Sequence, residues 1–493
     1  MNNPVLPFGP GAIAFIGCYL IGLLVIGWLG HRARGADTLR DFYLAGPGIG
    51  FVALLLTLYA TQYSGNTMMG FSGRAYRTGF GFLVSVHFMT SIIVGYLLFA
   101  PQLHRLGKKH GFITPTDFLR HRYQSRVLNA IAPLLMIAAL GNYLLAQMIA
   151  MGRALQGLTT LPPDTAFTLG VILLATIILV YETLGGFRAV VWTDVLQGFI
   201  LMTGFAALLY LMFDHFGPLS ETTQRLLEGS DADRAKVAPP STGESRRWLS
   251  YVILFGLGAS LYPQAIQRIF AARSEPALQR SLAVMAFLPF TTALIVVTLG
   301  VYGAAHIPGL SGAQSDQILT LICREVQSSS IVGYWLVVVL SAAILGALMS
   351  TADSCLLTLS SMITKDLYHG FIRPDASETS LTRLGKACSW LLVTLLAGLA
   401  LYLNQLDQKP TLVKLLDMKF DLLIQLVPAF VLGVHFPQLK AKAVVWGLLS
   451  GVTVTLGLYG NPTIASLGFH AGLYGLLVNA GIAIGGSLLS RRK

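Results

Sequence analysis

Several hydroxyl side chains and a carboxylate lie close together near the middle of a long apolar segment, 334–363. Asp353 supplies the carboxylate, and positions spaced along one face of a helix supply the rest: Ala347, Ser350, Thr351, Ser354 and Thr358. Hydroxyl and carbonyl oxygens along one stripe are the ligands that a hard monovalent cation needs. A single serine or threonine often bonds only the carbonyl four residues earlier. Four hydroxyls on one face beside a carboxylate favour a cation site.

A second polar cluster interrupts the apolar segment 51–73, where the sequence Ala-Thr-Gln-Tyr-Ser-Gly-Asn-Thr occupies residues 60–67. Successive polar residues are costly in a continuous helix that faces lipid. One interpretation is an unwound stretch that turns its carbonyls toward a cation and its side chains toward a solute. The other is a helix packed by small and polar residues against its neighbours. Gly65 lies inside the cluster rather than at its edge, which favours the unwound stretch.

A second weakened helix is predicted over 248–265, where these residues disturb the hydrogen-bond ladder: Gly256, Gly258 and Pro263. Two broken helices are expected if the chain contains two inverted halves that each open with an interrupted helix. Segment 127–149 adds Asn142, Tyr143 and Gln147. These side chains either line a solute cavity or form hydrogen bonds within the core, and the sequence leaves both interpretations open.

Acidic residues inside apolar segments are the third feature. Asp353 lies about midway along its segment, and Asp194 lies near the start of segment 190–213. A charge at this depth is costly unless a counter-ion, water or a proton compensates it, so a functional role is the first hypothesis. Asp194 has a second interpretation as an acid at a helix N-terminus, facing the macrodipole. Glu182 and Asp421 are closer to predicted helix ends and are expected at the interface.

Composition predicts that these residues are positioned inside a membrane. Of the 493 residues, 54% are hydrophobic and 11% are charged, and the mean hydropathy is +0.67; a soluble domain has about 25% charged residues. The charges lie between apolar runs of about 20 residues, the length that crosses a bilayer. An all-α membrane protein with about thirteen spans is expected: 10–30, 51–73, 81–103, 127–149, 165–183, 190–213, 248–265, 281–303, 334–363, 385–403, 419–436, 443–461 and 470–488.

Lysine and arginine concentrate on one side of this predicted topology. The loops on that side are 31–50, 104–126, 184–189, 266–280, 364–384 and 437–442, together with the basic tail 491–493. The positive-inside rule places this side in the cytoplasm, so the N-terminus is predicted outside and the C-terminus inside. Topology and anionic lipid also account for the net charge of +12. Nucleic-acid binding is therefore not expected.

No segment predicts a soluble catalytic or nucleotide-binding domain, and no GxxxxGK[ST] motif is present, so an enzyme is not expected. The four cysteines show no CxxC spacing, which argues against a zinc site or a disulfide framework. We divide the chain into an N-terminal helix with its loop (1–50), a first repeat (51–213), an external loop (214–247), a second repeat (248–436) and two C-terminal helices with a basic tail (437–493).

Three stretches carry a resemblance to a known family: Tyr63-Ser64-Gly65, Gly185-Gly186-Phe187 through Trp192-Thr193-Asp194, and Ala347 through Ser350-Thr351-Ala352-Asp353-Ser354 to Lys365-Asp366-Leu367-Tyr368. The chain resembles the sodium:solute symporter family, which includes bacterial sodium/proline, sodium/pantothenate and sodium/galactose transporters. The resemblance runs through nearly the whole chain. It implies a leucine-transporter-like fold of two inverted five-helix repeats (5+5) in the bacterial inner membrane, often with thirteen helices and an external N-terminus.

The resemblance also implies roles for individual residues. It assigns the main sodium site to the carbonyls of Ala60, Tyr63 and Ala347 and the hydroxyls of Ser350 and Thr351. A second cation site or the sodium exit path falls on Asp194, Asp353 and Ser354. Asp353 stands where members with two sodium sites have serine, so it either strengthens a cation site or takes up a proton. The substrate would face Gln62, Ser64, Gly65, Asn66, Thr67, Tyr143 and Phe255.

The expected function is sodium-coupled symport of a small organic solute of the amino acid, carboxylate, vitamin or sugar type. Proline is not expected, because the proline transporter has an acid at the position of Gln62 and tryptophan at those of Asn66 and Phe255. The expected partners are the solute, sodium and the lipid bilayer, and the functional unit is expected to be a monomer. The alternatives are a proton-coupled carrier of the same fold and a solute-sensing membrane subunit.

Overall fold

The computed structural model describes residues 9–33, 35, 38–46, 48–327, 331–461 and 467–490, with the backbone but not the side chain of Asn66. These residues are helical apart from their connections and one isolated parallel pairing, Ile49 with Ala272. The predicted basic tail 491–493 lies outside the described residues. The α-helices are α1 (Pro10–Arg32), α2 (Leu39–Leu44), α3 (Phe51–Gln62), α4 (Phe71–Thr78), α5 (Val84–His110), α6 (Pro115–Tyr123), α7 (Arg126–Leu158), α8 (Pro163–Phe216), α9 (Leu219–Glu228), α10 (Asp231–Ala235), α11 (Thr242–Gly258), α12 (Pro263–Ala271), α13 (Glu275–Met285), α14 (Leu288–Thr291), α15 (Ala293–His306), α16 (Ile318–Val326), α17 (Ile331–Ser361), α18 (Glu378–Asn404), α19 (Leu412–Leu423), α20 (Gly433–His435), α21 (Ala441–Leu458) and α22 (Ala471–Leu489).

Nine helical runs in the described part of the chain are long and apolar enough to cross a membrane, or ten if the bent pair Thr242–Leu261 and Pro263–Ala271 is one span. The difference from thirteen arises partly because one run can contain two predicted spans. Helix α8 has 54 residues, whereas a span needs about 20. Gly186 divides it with φ 59° and ψ −152°, a conformation that only glycine adopts readily. The count of thirteen stays a prediction.

The first predicted break is confirmed. Helix α3 ends at Gln62, and Tyr63 follows with the non-helical angles φ −99° and ψ 70°. The chain then resumes as a π-helical segment, Asn66–Gly70, that leads into α4. The backbone is therefore irregular in the middle of the predicted span 51–73, at the position of the polar cluster.

The second predicted break is also confirmed. Helix α11 passes into a short 3₁₀ turn, Ala259–Leu261, and Tyr262 has the non-helical angles φ −53° and ψ 122°. Pro263 then begins α12, which is bent by 53° from the preceding segment. Proline is well placed there because the first position of a helix has no intrahelical partner for an N–H group.

Helix α17 lies at the centre of the protein, in contact with α3, α7, α8 and α12. Every residue from 340 to 362 is buried. The outer helices differ, because they expose large apolar side chains such as Ile13, Leu391, Trp446 and Leu477. Lipid is the surrounding that matches this apolar surface. The polar cluster on α17 is therefore enclosed by protein.

Three charged residues near predicted helix ends are buried in the protein. Glu182 and Asp421 were expected at the interface, but both are buried. Helix α19 begins at Leu412 rather than at the predicted 419, and Lys419 is fully buried within it. The reason is that these polar side chains face other helices, and hydropathy along the chain does not distinguish protein from solvent.

Candidate functional site

The predicted sodium ligands lie where the end of α3 meets α17. The Thr351 hydroxyl donates a long hydrogen bond of 3.4 Å to the Ala60 carbonyl, one turn before the break. Tyr63 lies at the break itself, and Ala347 lies one turn before Thr351 on α17; both are buried. Ser350 points to a neighbouring helix, where its hydroxyl donates to Asp194. The structure thus joins Thr351 directly to Ala60 and Ser350 directly to Asp194.

Asp194 is fully buried and connects α8 to two other helices. It accepts hydrogen bonds from the hydroxyls of Ser350 on α17 and Thr57 on α3. Its interpretation as an N-terminal acid is wrong, because it lies two turns beyond the break at Gly186 and the macrodipole effect falls off within one turn. Side-chain donors from other helices, rather than a helix end, contact this carboxylate.

Arg268 is the main component of the site that the sequence analysis missed. It was assigned to the loop 266–280, but it belongs to α12 and is 1% exposed. Its guanidinium donates to Asp194 at 2.8 Å, to the hydroxyl of Ser354 at 2.7 Å and to that of Thr57 at 2.7 Å. In the sequence Arg268 follows the predicted break by a few residues, which fits a residue of the site. An arginine in a loop after the helix would stand at the same position, so the sequence does not distinguish the two.

Asp353 lies on the other side of Ser354 and is fully buried. It accepts hydrogen bonds from the Tyr181 hydroxyl and, at 3.2 Å, from the Ser354 hydroxyl. Ser354 therefore bridges Arg268 and Asp353. Two buried carboxylates share one guanidinium in the described part of the chain, so with both ionised the cluster has room for one more positive charge.

The predicted substrate residues of the first break bond mainly to one another. The Thr67 amide donates to the Ser64 hydroxyl at 3.2 Å, and the Thr67 hydroxyl donates to the Gln62 carbonyl at 3.2 Å. The Gln62 side chain donates to the Tyr96 hydroxyl. Gly65 allows α17 to approach, because a Cβ there would lie 1.8 Å from a methyl of Leu348. The side chain of Asn66 lies outside the described residues.

Tyr143 and Phe255, the other predicted substrate residues, belong to a buried aromatic cluster. Tyr143 stacks on Tyr262 with ring centroids 5.4 Å apart and an interplanar angle of 5°. Phe255 packs against Phe420 at 4.2 Å. Lys419 points into this cluster, with its ammonium 2.8 Å from the centroid of the Tyr143 ring. Lys419 stands at the first position of the predicted span 419–436, so the sequence does not predict its burial.

The other polar residues of 127–149, Asn142 and Gln147, differ in their hydrogen bonding. Asn142 donates a 2.7 Å hydrogen bond to the Leu415 carbonyl, which is core hydrogen bonding between α7 and α19. Gln147 is fully buried, and neither its amide nitrogen nor its oxygen has a hydrogen-bond partner among the described residues.

Residues 42–451 match the family model described as the sodium:solute symporter family. The chain belongs to the sodium:solute symporter family. This membership confirms the predicted family and sodium as the co-transported ion. It also supports a multi-pass location in the bacterial inner membrane. Two relatives show how similar the symporter's sequence is to those of known transporters. It is 28% identical to the sodium/pantothenate symporter of Escherichia coli, over 94% of this chain and 93% of that one. It is 26% identical to the osmoregulated proline transporter of Bacillus subtilis, over 90% and 86%.

The fold of the symporter is also that of solved structures. A sodium-coupled sialic acid symporter in a substrate-bound outward-open state superposes with a TM-score of 0.78, covering 98% of both chains at 19% identity. MhsT, in complex with L-phenylalanine, gives a TM-score of 0.53 at 13% identity. At these identities the similarity establishes the all-helical fold and not the substrate.

Proposed function

We propose that this symporter moves a small organic solute into the cell together with sodium, and that sodium binds at the first helix break between α3 and α17. The ligands are the carbonyls of Ala60, Tyr63 and Ala347 with the hydroxyls of Ser350 and Thr351. The observation that carries this assignment is the direct approach of the Thr351 hydroxyl to the Ala60 carbonyl at a helix break. Family membership supports sodium as the ion and a transporter rather than an enzyme.

The hydrogen bonds of Ser350 suit it to bind a cation. A hydroxyl has one proton and two lone pairs. Because Ser350 gives its proton to Asp194, its lone pairs remain for sodium. The hydroxyl proton of Thr351 lies between the Thr351 oxygen and the Ala60 carbonyl oxygen. Rotation of that hydroxyl would let sodium contact both oxygens.

Asp194, Asp353 and Ser354 form a second cation site or the exit path in this proposal. Arg268 contacts Asp194 and Ser354 directly and Asp353 through Ser354, so the path contains a resident cation. An arriving sodium ion would compete with the guanidinium for Asp194, so release toward the cytoplasm would involve movement of Arg268. Sodium then binds Asp194 only transiently, as suits an exit path.

Alternating access would come from movement of two inverted repeats, 51–213 and 248–436, around this site. The two broken helices, one near the start of each proposed repeat, support the division. Segments 1–50 and 437–493 flank the repeats, and 214–247 connects them outside the cell. We propose an external N-terminus, a cytoplasmic C-terminus and a functional monomer. A sodium gradient drives uptake only if the ion and the solute bind better together than apart.

The sodium site predicts the behaviour of two hydroxyl deletions. Ser350→Ala and Thr351→Ala are each expected to raise the sodium concentration for half-saturation by about tenfold or more, since each removes one of five ligands and tenfold corresponds to about 1.4 kcal/mol. Radioactive sodium binding to the purified transporter measures this without knowledge of the solute.

Ser360→Ala is the matched control. Ser360 is fully buried on α17 like the other two, but in the described part of the chain its hydroxyl donates to the Leu357 carbonyl of its own helix at 2.9 Å. We expect wild-type sodium binding from this variant. Unchanged sodium binding in both Ser350→Ala and Thr351→Ala would contradict the proposed site.

A proton-coupled carrier of the same fold is the second candidate, and the pair of carboxylates that share Arg268 favours it. A proton on Asp353 or Asp194 would balance the cluster as well as sodium does. Uptake into proteoliposomes under an imposed sodium gradient or an imposed proton gradient separates the two. Uptake that follows the proton gradient and ignores sodium would replace the sodium proposal.

A further inference from the structure

Lys419 is a buried cation that forms no ion pair with the residues that the structure describes. It is fully buried in α19, a helix that contacts both the Asn66–Gly70 segment of the first break and the Ala259–Leu261 turn of the second. Within the described residues its ammonium forms no hydrogen bond and no ion pair. A buried ammonium is unfavourable unless an anion or hydrogen-bond acceptors compensate it.

The contacts that Lys419 does form are aromatic. Its nitrogen lies 2.8 Å from the ring centroid of Tyr143, 4.8 Å from that of Tyr262 and 4.9 Å from that of Phe420. Cation–π attraction favours this position. The ring faces do not replace the three strong acceptors that an ammonium can bind. The cluster therefore holds the charge in place and leaves its hydrogen-bonding capacity free.

The nearest acids on α19 form no ion pair with Lys419, although the Asp417 charge is close enough to interact with it. Asp417 accepts a 3.1 Å hydrogen bond from the Tyr251 hydroxyl, and Asp421 accepts a 2.8 Å hydrogen bond from the Gly472 amide. Both line a cavity of about 280 Å³ that also includes Arg247. These carboxylates therefore face the cavity side of α19, and Phe420 lies beside Lys419 on the other.

The surroundings of Lys419 extend to the proposed sodium and substrate residues. The hydroxyl of Tyr143 faces the side chains of Ser64, Tyr262 and Thr351. Ser64 belongs to the first break, and Thr351 is a proposed sodium ligand. A group bound by Lys419 would therefore lie beside the sodium site.

We propose that the transported solute is a small carboxylate and that Lys419 binds its carboxylate group. The proposal rests on the sodium-coupled function proposed above and names the substrate class of that site. The carboxylate accepts hydrogen bonds from the Lys419 ammonium and from the neighbouring hydroxyls. Its negative charge lies close to sodium, so each ligand strengthens the binding of the other, which is the coupling that symport requires.

A carboxylate without an amino group fits better than an amino acid. The proposed solute-facing side chains of the first break, Gln62, Ser64 and Thr67, are uncharged. A substrate ammonium would find no carboxylate among them and would be repelled by Lys419. The aromatic rings of Phe255 and Phe420 are suited to a short apolar tail.

Ligand binding by the full-length purified symporter tests this proposal. The probes are acetate, propionate, lactate, pyruvate and succinate, each with its neutral amide, together with alanine, proline and glucose, all in sodium chloride and in choline chloride. We expect at least one carboxylate, but not its amide, to raise the melting temperature, and more strongly in sodium. Lys419→Met should weaken that binding by about tenfold or more, because a buried charge-assisted hydrogen bond is lost, and Lys419→Arg should retain most of it.

Lys414→Met is the matched control, because it removes the same charge from an exposed position of α19. It should bind the carboxylate as the wild type does. Sodium binding, measured separately, distinguishes the two proposals. Two results would overturn the carboxylate proposal and leave the sodium proposal standing. In the first, sodium binds the wild type and Lys419→Met alike but no carboxylate binds. In the second, an amino acid or glucose binds without need of Lys419. Carboxylate binding that needs Lys419 but ignores sodium would support the carboxylate and overturn the sodium coupling.

Discussion

Arg268→Met and Asp194→Asn are each expected to destabilise the symporter strongly, and the double variant is expected to be more stable than either. Each single change leaves one buried partner unpaired, since the guanidinium lies 2.8 Å from the carboxylate and both are at most 1% exposed. Breaking a buried ion pair from one side costs about 3–5 kcal/mol. Removing both charges eliminates that penalty for this pair, and Asp353 keeps its hydrogen bonds from Tyr181 and Ser354. Melting temperatures of the four proteins in detergent measure the effect.

An exposed ion pair of similar geometry provides the control. Arg105 contacts Glu275 at 2.6 Å through two hydrogen bonds, but the arginine side chain is 66% exposed. Arg105→Met should leave the melting temperature nearly unchanged, because water and salt screen such a pair. A double variant of Arg268 and Asp194 that melts no higher than the two single variants would show that the charges do not stabilise each other.

The same variants bear on ion release. If Arg268 competes with sodium for Asp194, the stable double variant removes both the competitor and the transient ligand. Sodium binding at the main site should survive, since its proposed ligands are unchanged. Release to the inner side should slow, which sodium efflux from loaded proteoliposomes would measure. Efflux as fast as in the wild type would remove Arg268 and Asp194 from the exit path.

Gly65→Ala is expected to abolish most sodium binding by separating α17 from the first break. The new methyl group would lie 1.8 Å from a Leu348 methyl and 3.3 Å from the Leu348 Cα, so the backbone and not only a side chain must move. Overpacking of this kind costs about 1–3 kcal/mol. Because Leu348 and Thr351 are on the same helix, the movement also separates Thr351 from Ala60. Sodium binding and the melting temperature should fall together.

Leu348→Ala provides the test of mechanism. Alone it leaves a cavity and lowers stability, but combined with Gly65→Ala it removes the clash, so the double variant should bind sodium better than Gly65→Ala alone. Gly141→Ala is the control, because nothing lies within 4 Å of its added methyl group and alanine favours a helix over glycine. No recovery in the double variant would show that the contact with Leu348 does not cause the loss of sodium binding.

The sequence by itself determined the membrane class, the two broken helices and the polar stripe on α17. Each of these depends on local information. Charge depletion over apolar runs predicts spans, and consecutive polar residues or Gly-Pro combinations predict breaks. Helical spacing places Ser350 and Thr351 on one face. The three motifs gave the family, which the match over 42–451 confirms.

Only the tertiary structure decided which charged side chains face the core. Arg268 and Lys419 were assigned to a loop and a helix end, because hydropathy averages over neighbours in sequence and charged residues end a predicted span. Their surroundings come from residues far away in the chain: Asp194 is 74 positions from Arg268, and Tyr143 lies on α7 whereas Lys419 lies on α19. A buried charge is tolerated only where distant groups compensate it. Its partners, or their absence, therefore become visible only when the helices are packed together.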